Sequence, residues 1–297
     1  MSKKFVIVSD SSCDLNEELR KQYDVDYIPM HISYDDTSLP ADLDWKELSA
    51  KTFYDILRAN TRIFTSQVPA QAYSEKFEEY IQNGYDILSI SCSSALSASV
   101  TASKVVRDEL KEKYPDTKIV CVDSLNASFG VGILCIYASR LREAGYSIDQ
   151  VADELETLKM NVHQVGTVDE LKYLKRAGRI SAGKALLGAM FNVKPMIISN
   201  QKGENISPEK TKGRMNSMRR LAELTKERYT GEKVEEIFIS HGDCLEEAEQ
   251  VKGFILEVLP NANITIGMLN PIVGASCGPK TIGVYFVGVE KPAADEE

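Results

Sequence analysis

Short apolar runs alternate with segments of helical periodicity through the first half of the chain. Three such runs, at residues 5–8, 87–90 and 119–122, are each followed by a hydroxyl-rich loop and then a helical pattern. Strands that alternate with helices are typical of a parallel sheet with right-handed crossovers. We therefore predict an α/β fold whose N-terminal domain is a parallel sheet flanked by helices.

Two helices of this half have clear periodicity. One is predicted to follow Asp44, which resembles a capping box together with Glu47; its apolar positions are Trp45, Leu48, Phe53, Ile56 and Leu57. The other has apolar positions spaced over residues 70–81 and is predicted to end at the Asn-Gly pair of residues 83–84.

The pattern changes after residue 159, where helical periodicity gives way to strand-like alternation at residues 162–168. We place a domain boundary there, with an N-terminal domain at 1–160, a C-terminal domain at 161–290 and a disordered tail at 291–297. The second half predicts a mixed α/β sheet. Its predicted elements are a helix after Thr167, a strand at 193–199, a turn at 200–203, a basic helix at about 211–229, a strand at 237–240, a helix from Leu245, and strands at 264–268 and 281–287.

Composition narrows the function. The chain has 35 Lys and Arg against 44 Asp and Glu, a net charge of −9, with 43% apolar residues. An acidic globular protein lacks the cationic face that nucleic acid requires, so we expect no nucleic-acid partner. The same charge argues against an anionic membrane surface as the main partner.

The start of the chain leads directly into a strand-like run, and the longest apolar stretch, residues 131–138, is far below the roughly 18 residues of a membrane helix. The six cysteines show no C-x-x-C spacing. Reduced thiols are the expected state. We therefore expect a cytoplasmic protein with no integral membrane segment.

Candidate chemistry lies where the predicted strands end. Side chains at the carboxyl ends of parallel strands gather at one edge of a sheet, and helix N-termini there suit an anion. Hydroxyl groups without glycine-rich phosphate loops suit a single carboxylate, although helix caps and turns would use the same residues. The serines concerned are Ser11, Ser12, Ser93, Ser94, Ser97, Ser99, Ser124 and Ser128. Small and apolar residues at 185–191 would either wall an apolar slot or form an ordinary core helix.

Six segments, in order along nearly the whole chain, resemble motifs of the DegV family of bacterial fatty-acid-binding proteins. They are F-V-I-V-S-D-S-S-C-D-L at 5–15, F-T-S-Q-V at 64–68, S-S-A-L-S-A-S at 93–99, V-D-S at 122–124, L-K-Y-L-K-R-A-G-R-I-S at 171–181 and N-V-K-P-M at 192–196. The resemblance implies two α/β domains with a long-chain fatty acid in a tunnel between them. It further implies a non-catalytic carrier without cofactor or metal, which presents the acid to a separate fatty-acid kinase.

The resemblance also implies residue roles. The carboxylate would be held by the hydroxyls of Thr65 and Ser97, with Ser66 and Ser94 close by. Arg179 would lie at the tunnel mouth or on the partner surface, although a purely structural arginine fits the sequence equally well.

The chain departs from the family motifs at several positions. Ala98 replaces a glycine, and Val68 replaces a proline that comes one residue later. In the C-terminal H-x-G-P-G motif, Ser276 replaces the histidine and Lys280 the last glycine. We expect Ser276 to hydrogen-bond in the head-group site and Lys280 to supply charge. The alternative is a different head group, or a protein that does not serve the kinase.

Three other functions were weighed. A serine hydrolase needs a base, for which His241 is the sole plausible residue, and the G-x-S-x-G elbow is absent from the sequence. A phosphoryl-transfer enzyme would use Asp10 and Asp14, but these are four residues apart, and Asp14 is better interpreted as a helix cap. A sugar-binding protein or sensor would need aromatic platforms, whereas Trp45 falls in a helical core pattern.

Overall fold

The structure, a computed structural model, describes residues 4–180 and 192–293. The strands of its first half are β1 (Phe5–Asp10), β2 (Val25–Ile28), β3 (His31–Tyr34), β4 (Thr37–Pro40), β5 (Phe64–Ser66), β6 (Asp86–Ser91) and β7 (Ile119–Asp123). The helices are α1 (Glu17–Tyr23), α2 (Ala50–Arg58), α3 (Ala70–Gln82), α4 (Ser99–Lys113), α5 (Phe129–Glu143) and α6 (Ile148–Leu158).

The predicted parallel sheet is confirmed. Its strand order is β2-β1-β6-β7, and every neighbouring pair is parallel. The three predicted strands therefore belong to one sheet, in which β1 and β6 are central and β7 is an edge strand. Because they run in the same direction, the loops that follow β1, β6 and β7 meet at one edge.

The second half also forms one sheet, which is mixed as predicted. Its order is β10-β9-β8-β13-β11-β12, and β11 with β12 is its parallel pair. The elements are β8 (Val162–Thr167), α7 (Leu171–Ala177), β9 (Val193–Ser199), β10 (Asn205–Lys212), α8 (Arg214–Arg228), β11 (Ile237–His241), α9 (Leu245–Val258), β12 (Ile264–Met268), α10 (Pro271–Cys277) and β13 (Ile282–Val287).

A small antiparallel sheet, in the order β4-β3-β5, lies outside both large sheets. It was not predicted, because strands of three or four residues are too short to show a period. Its strand β5 carries Thr65, which pairs with Ile32 of β3.

Helix α5 joins the two large sheets. Nearly all of its residues are buried, and one apolar cluster contains α5 together with side chains of both sheets, including Leu88 and Tyr285. The ring of Phe129 stacks on Phe238 of β11 with centroids 4.9 Å apart. A helix that is apolar on all sides is expected at the centre of a fold, where every face can pack.

The helix predicted after Asp44 begins later than expected. Helix α2 is capped by Ser49, whose hydroxyl accepts a hydrogen bond from the backbone N–H of Thr52 at 3.1 Å. Trp45 has a left-handed backbone, with φ of 57°, and is not helical. Asp44 is instead paired with Arg20, at 2.6 Å, so the capping-box interpretation was wrong.

The basic helix predicted at 211–229 was also placed too early. Residues up to Lys212 belong to β10, Gly213 has φ of +89°, and α8 starts at Arg214. Lys291, the first residue of the predicted tail, is 2% exposed, and its N–H donates to the Met160 carbonyl at 2.9 Å. The segment at 185–191 lies outside the described residues.

Helices long and apolar enough to cross a bilayer are not found within residues 4–180 and 192–293. All six cysteines are free thiols in this structure.

Candidate functional site

A cavity within the described residues lies between the loops of the first half of the chain and the mixed sheet. Its volume is about 190 Å³, far more than the roughly 10–15 Å³ that a single water needs. Apolar side chains make up much of the wall, with hydroxyl, amide and guanidinium groups among them. The apolar lining residues include Met30, Leu96, Ala127, Val168, Leu174, Ile197, Ile272, Val273 and Ile282.

Four of the predicted head-group residues are brought together at this cavity. Thr65 and Ser66 come from β5, Ser97 from the loop before α4, and Ser276 from the last turn of α10. Among the described residues, the Thr65 hydroxyl has no hydrogen-bond partner, so its donor and acceptor are free for a ligand.

The Ser97 loop is fixed by hydroxyl contacts. The hydroxyl oxygens of Ser97 and Ser99 are 3.0 Å apart, and Ser99 Oγ accepts from the N–H of Val68 at 3.2 Å. This network ties the segment after β5 to the start of α4. Ala98 between the two serines has φ of −84°, so the glycine of the family motif is not needed there.

Ser276 lies on the short helix α10, whose N-cap is Asn270. Asn270 Oδ1 accepts from the N–H groups of Ile272 and Val273 at 3.0 and 2.9 Å, which starts α10. The Ser276 hydroxyl donates to the Ile272 carbonyl at 3.3 Å and still has its lone pairs available.

Asp14 holds that cap in place and is not itself a helix cap, which corrects the prediction. The cap of α1 is Asn16, whose side chain accepts from the Leu19 N–H at 2.9 Å. Asp14 is buried, and its carboxylate accepts from Asn270 and from the Ser128 hydroxyl. Burial raises the pKa of Asp14 to about 6, while these hydrogen bonds act in the opposite direction.

Ser94 and Lys280 are not among the residues that line the cavity. Ser94 is exposed, and its backbone N–H donates to Asp123 Oδ1 at 3.1 Å. Lys280 is exposed, with its Nζ 3.4 Å from Glu247 Oε1. These two residues therefore do not lie where the expected head-group roles would require them.

Arg179 lies at the cavity wall. Its Nε donates to the Leu96 carbonyl at 3.3 Å and its Nη1 to the Ala177 carbonyl at 2.7 Å. Arg62 and Arg176 line a smaller adjoining pocket that shares Arg179 with this cavity. Within the described part of the chain, none of these three arginines is paired with a carboxylate. The part of the cavity next to these arginines therefore carries positive charge that suits an anion.

The sequence analysis missed the polar groups of the mixed sheet. Gln164 and Asn205 both line the cavity; Gln164 Nε2 donates to Asn205 Oδ1 at 2.9 Å, and Asn205 Nδ2 to the Arg179 carbonyl at 3.0 Å. The alternation at 162–168 could have found Gln164, because it puts Gln164 and Gly166 on the same face of β8.

Most of the serines predicted at the sheet edge serve the loops themselves. Ser11 accepts from the N–H of Met30 at 3.0 Å, and the Ser93 hydroxyl donates to the Gly203 carbonyl at 2.8 Å. Of the eight, Ser97 is the one that lines the cavity. The buried members are Ser11, Ser12, Ser93, Ser99, Ser124 and Ser128. The alternative interpretation as turn and loop residues fits these six.

The residues weighed for catalysis lie elsewhere. His241 ends β11, and its Nδ1 accepts from the Cys244 N–H at 3.2 Å. Asp10 is buried at the end of β1, where its carboxylate accepts from the N–H groups of Ser12 and Cys92. Burial raises the pKa of Asp10, and the same hydrogen bonds oppose that rise. Neither His241 nor Asp10 is among the residues that line the cavity.

Comparison with known proteins gives one consistent result. Residues 4–289 match the family model described as "Uncharacterised protein, DegV family". A DegV domain-containing protein of Clostridium perfringens is 38% identical over 289 residues, covering 97% of this chain and 99% of the relative.

Solved structures agree in fold. A fatty-acid-binding DegV family protein of Streptococcus agalactiae superposes with a TM-score of 0.85 at 21% identity, covering 97% of this chain and 99% of that one. A stearic-acid-binding protein of Eubacterium ventriosum has the same TM-score at 22% identity, with 96% and 98% covered. At these identities the likeness establishes the two-sheet α/β fold.

Proposed function

The chain belongs to the DegV family, and on that basis we propose that it binds a long-chain fatty acid in the cavity between its two large sheets. The observation that carries the proposal is the position of Thr65, Ser97 and Ser276 at one apolar cavity, although they come from three distant parts of the sequence. Several solved relatives are fatty-acid-binding proteins, which supports the same ligand class.

The carboxylate is held by hydroxyl groups in this proposal. Thr65 offers a hydroxyl without a partner among the described residues, and Ser66, Ser97 and Ser276 also line the cavity. A carboxylate taken out of water needs such donors, because an unpaired buried charge is strongly unfavourable. Arg179 adds a positive charge at the wall without being neutralised by an acidic partner among the described residues.

The acyl tail supplies most of the binding free energy. Each methylene removed from water contributes about 0.8 kcal/mol, so a sixteen-carbon chain contributes roughly 10 kcal/mol before ordering costs. The apolar wall formed by residues such as Val168, Leu174 and Ile197 suits this role. The polar groups then set the orientation of the acid more than its affinity.

A carrier role follows from this arrangement. The protein would hold the acid, keep its head group near the mouth of the cavity and present it there to a fatty-acid kinase. Arg62, Arg176 and Arg179 have no carboxylate partner within residues 4–180 and 192–293, and their positive charge suits an acidic or phosphorylated partner. We propose a non-catalytic protein, with the fatty acid as its ligand and no cofactor, that works in the cytoplasm.

Native mass spectrometry of the purified protein, followed by lipid extraction, tests the proposal. We expect a mass increment equal to one fatty acid, which disappears after delipidation and returns when the free acid is added back. A protein that carries no acid after purification and takes up none from solution would overturn the proposal. Hydrolysis of an ester substrate that requires His241 would favour an enzyme instead.

A further inference from the structure

Two glycines lie side by side in the wall that the mixed sheet gives to the cavity. Strands β8 and β13 are antiparallel neighbours, with Gly166 opposite Gly283 and Gln164 opposite Tyr285. All four residues line the cavity. Directly opposed residues point to the same face of a sheet, so this face has two adjacent positions without a side chain.

The opposite face of the same strands is packed in the usual way. Val165 and Val284, which are also register partners, are fully buried in the apolar cluster beneath α8 and α9. The missing side chains are therefore confined to the face that borders the cavity. Glycine within a strand costs about 0.5–1 kcal/mol relative to alanine, so a bare position of this kind needs a compensating use.

Gly283 is needed by a neighbouring side chain. A Cβ at this position would lie 2.4 Å from the Tyr285 hydroxyl oxygen and 2.8 Å from its ring. That hydroxyl accepts a hydrogen bond from Ser240 at 3.2 Å, so the ring is held over Gly283. The space above Gly283 therefore belongs to Tyr285.

Gly166 is different, because no side chain of the described residues fills the space above it. A Cβ there would meet only backbone atoms, the Ile282 carbonyl oxygen at 3.2 Å and the Gly283 Cα at 3.8 Å. Its φ is not in the left-handed region, so the backbone does not require glycine. A small movement of the strand would admit a methyl group, which would then lie in the cavity wall.

We propose that Gly166 is a determinant of acyl-chain length, because its bare backbone provides room in the wall that the lipid tail occupies. This inference rests on the proposed fatty-acid function and makes it more specific. A methyl group at this position takes up about the room of one methylene of the ligand. The longest acids that fit the cavity lose contact first, while shorter acids are accommodated as before.

The test compares Gly166→Ala with the wild-type protein and with Gly253→Ala. Gly253 lies on the exposed side of α9, and a Cβ there meets nothing within 4 Å, so it matches the chemical change away from the cavity. Dissociation constants are measured by isothermal titration for delipidated protein with the straight saturated acids from lauric to stearic. Thermal unfolding of each variant shows that it is folded.

In Gly166→Ala we expect the affinity for stearic acid to fall about fourfold relative to lauric acid, which corresponds to the loss of one buried methylene, about 0.8 kcal/mol. In Gly253→Ala the ratio stays at the wild-type value. An unchanged ratio in folded Gly166→Ala, or an equal loss at every chain length, overturns the inference. Wild-type protein that binds none of the acids overturns the proposed function itself.

Discussion

The carboxylate of Asp14, in the loop after β1, accepts a hydrogen bond from the backbone N–H of Asn270 at 2.9 Å. The two residues are 256 positions apart, and Asn270 starts the helix that carries Ser276. The same carboxylate accepts from the Ser128 hydroxyl at the start of α5. One buried acid thus connects the parallel sheet, α5 and the short helix α10 at the cavity.

Two substitutions of Asp14 test how much its hydrogen bonds and its backbone conformation contribute to stability. Asp14→Ala leaves several buried donors unpaired and puts alanine at a φ of 57°, so we expect a loss of about 3 kcal/mol or more in the free energy of unfolding. Asp14→Asn keeps an acceptor for Asn270 and tolerates that backbone, so its loss should be smaller, below about 1.5 kcal/mol. Urea denaturation at pH 7 measures both; equal losses would contradict this account.

We expect the free energy of unfolding to depend on pH through Lys291. Its side chain is buried, with Nζ donating to the Leu125 carbonyl at 3.1 Å, and burial lowers the pKa of Lys291 to about 7 from an ordinary 10.5. The unfolded chain therefore binds this proton more tightly than the folded protein. The free energy of unfolding falls as pH falls from about 10.5 to about 7, by at most about 1.4 kcal/mol per pH unit.

Substitution of Lys291 by methionine isolates this contribution. In Lys291→Met the buried amine is gone, so the difference in unfolding free energy between variant and wild type should favour the variant most at pH 7 and least near pH 10. Denaturant midpoints across that range provide the measurement. The control is Lys51→Met, at a lysine whose side chain is 79% exposed. A difference that does not vary with pH would argue against a neutral buried amine.

The central sheet could be predicted because both of its faces are covered. β1, β6 and β7 read as apolar runs, and runs bounded by loops and helical patterns favour a parallel sheet. β10 was not predicted because it is mostly polar, and its last two residues were assigned to the helix that follows. It also contains Pro208, which falls at the register shift between Ile206 and Glu209.

The family motifs indicated Thr65, Ser97 and Ser276 as head-group residues, and all three line the cavity. Their role in binding stays a prediction. Lys280 could not be placed in this way, because its direction depends on Glu247, a residue of α9 that is 33 positions away. Gln164 was missed because the sequence alone does not show which face of β8 borders the cavity.

Thr65 predicts a selective effect on the ligand head group. Thr65→Val keeps the shape of the side chain and removes a hydroxyl that has no partner among the described residues. A hydrogen bond to a charged group contributes about 1.5–3 kcal/mol, so the affinity for the free acid should fall at least about tenfold. The affinity for the corresponding methyl ester should change less, because the ester carries no charge.

The matched control is Thr37→Val on β4, the other edge of the same three-stranded sheet. Thr37 is not among the residues that line the cavity, so its variant should bind acid and ester as the wild type does. Both variants should unfold at about the wild-type midpoint. If Thr65→Val binds the acid normally, the Thr65 hydroxyl does not hold the carboxylate.

Lys280 provides the last prediction, which separates charge from backbone conformation. Its Nζ lies near Glu247 and its side chain is 51% exposed, so the pair contributes less than about 1 kcal/mol to stability. Because the side chain does not line the cavity, Lys280→Ala should leave the affinity for the acid unchanged.

The backbone of Lys280 has a φ of 60°, which strains any residue with a Cβ. Lys280→Gly should therefore be more stable than Lys280→Ala by about 1 kcal/mol, although glycine loses more chain entropy on folding. Urea denaturation ranks the two variants, and titration with the acid measures binding. A similar fall in affinity in both variants would support the predicted role of the Lys280 charge in the head-group site. The order of stability tests the left-handed backbone separately.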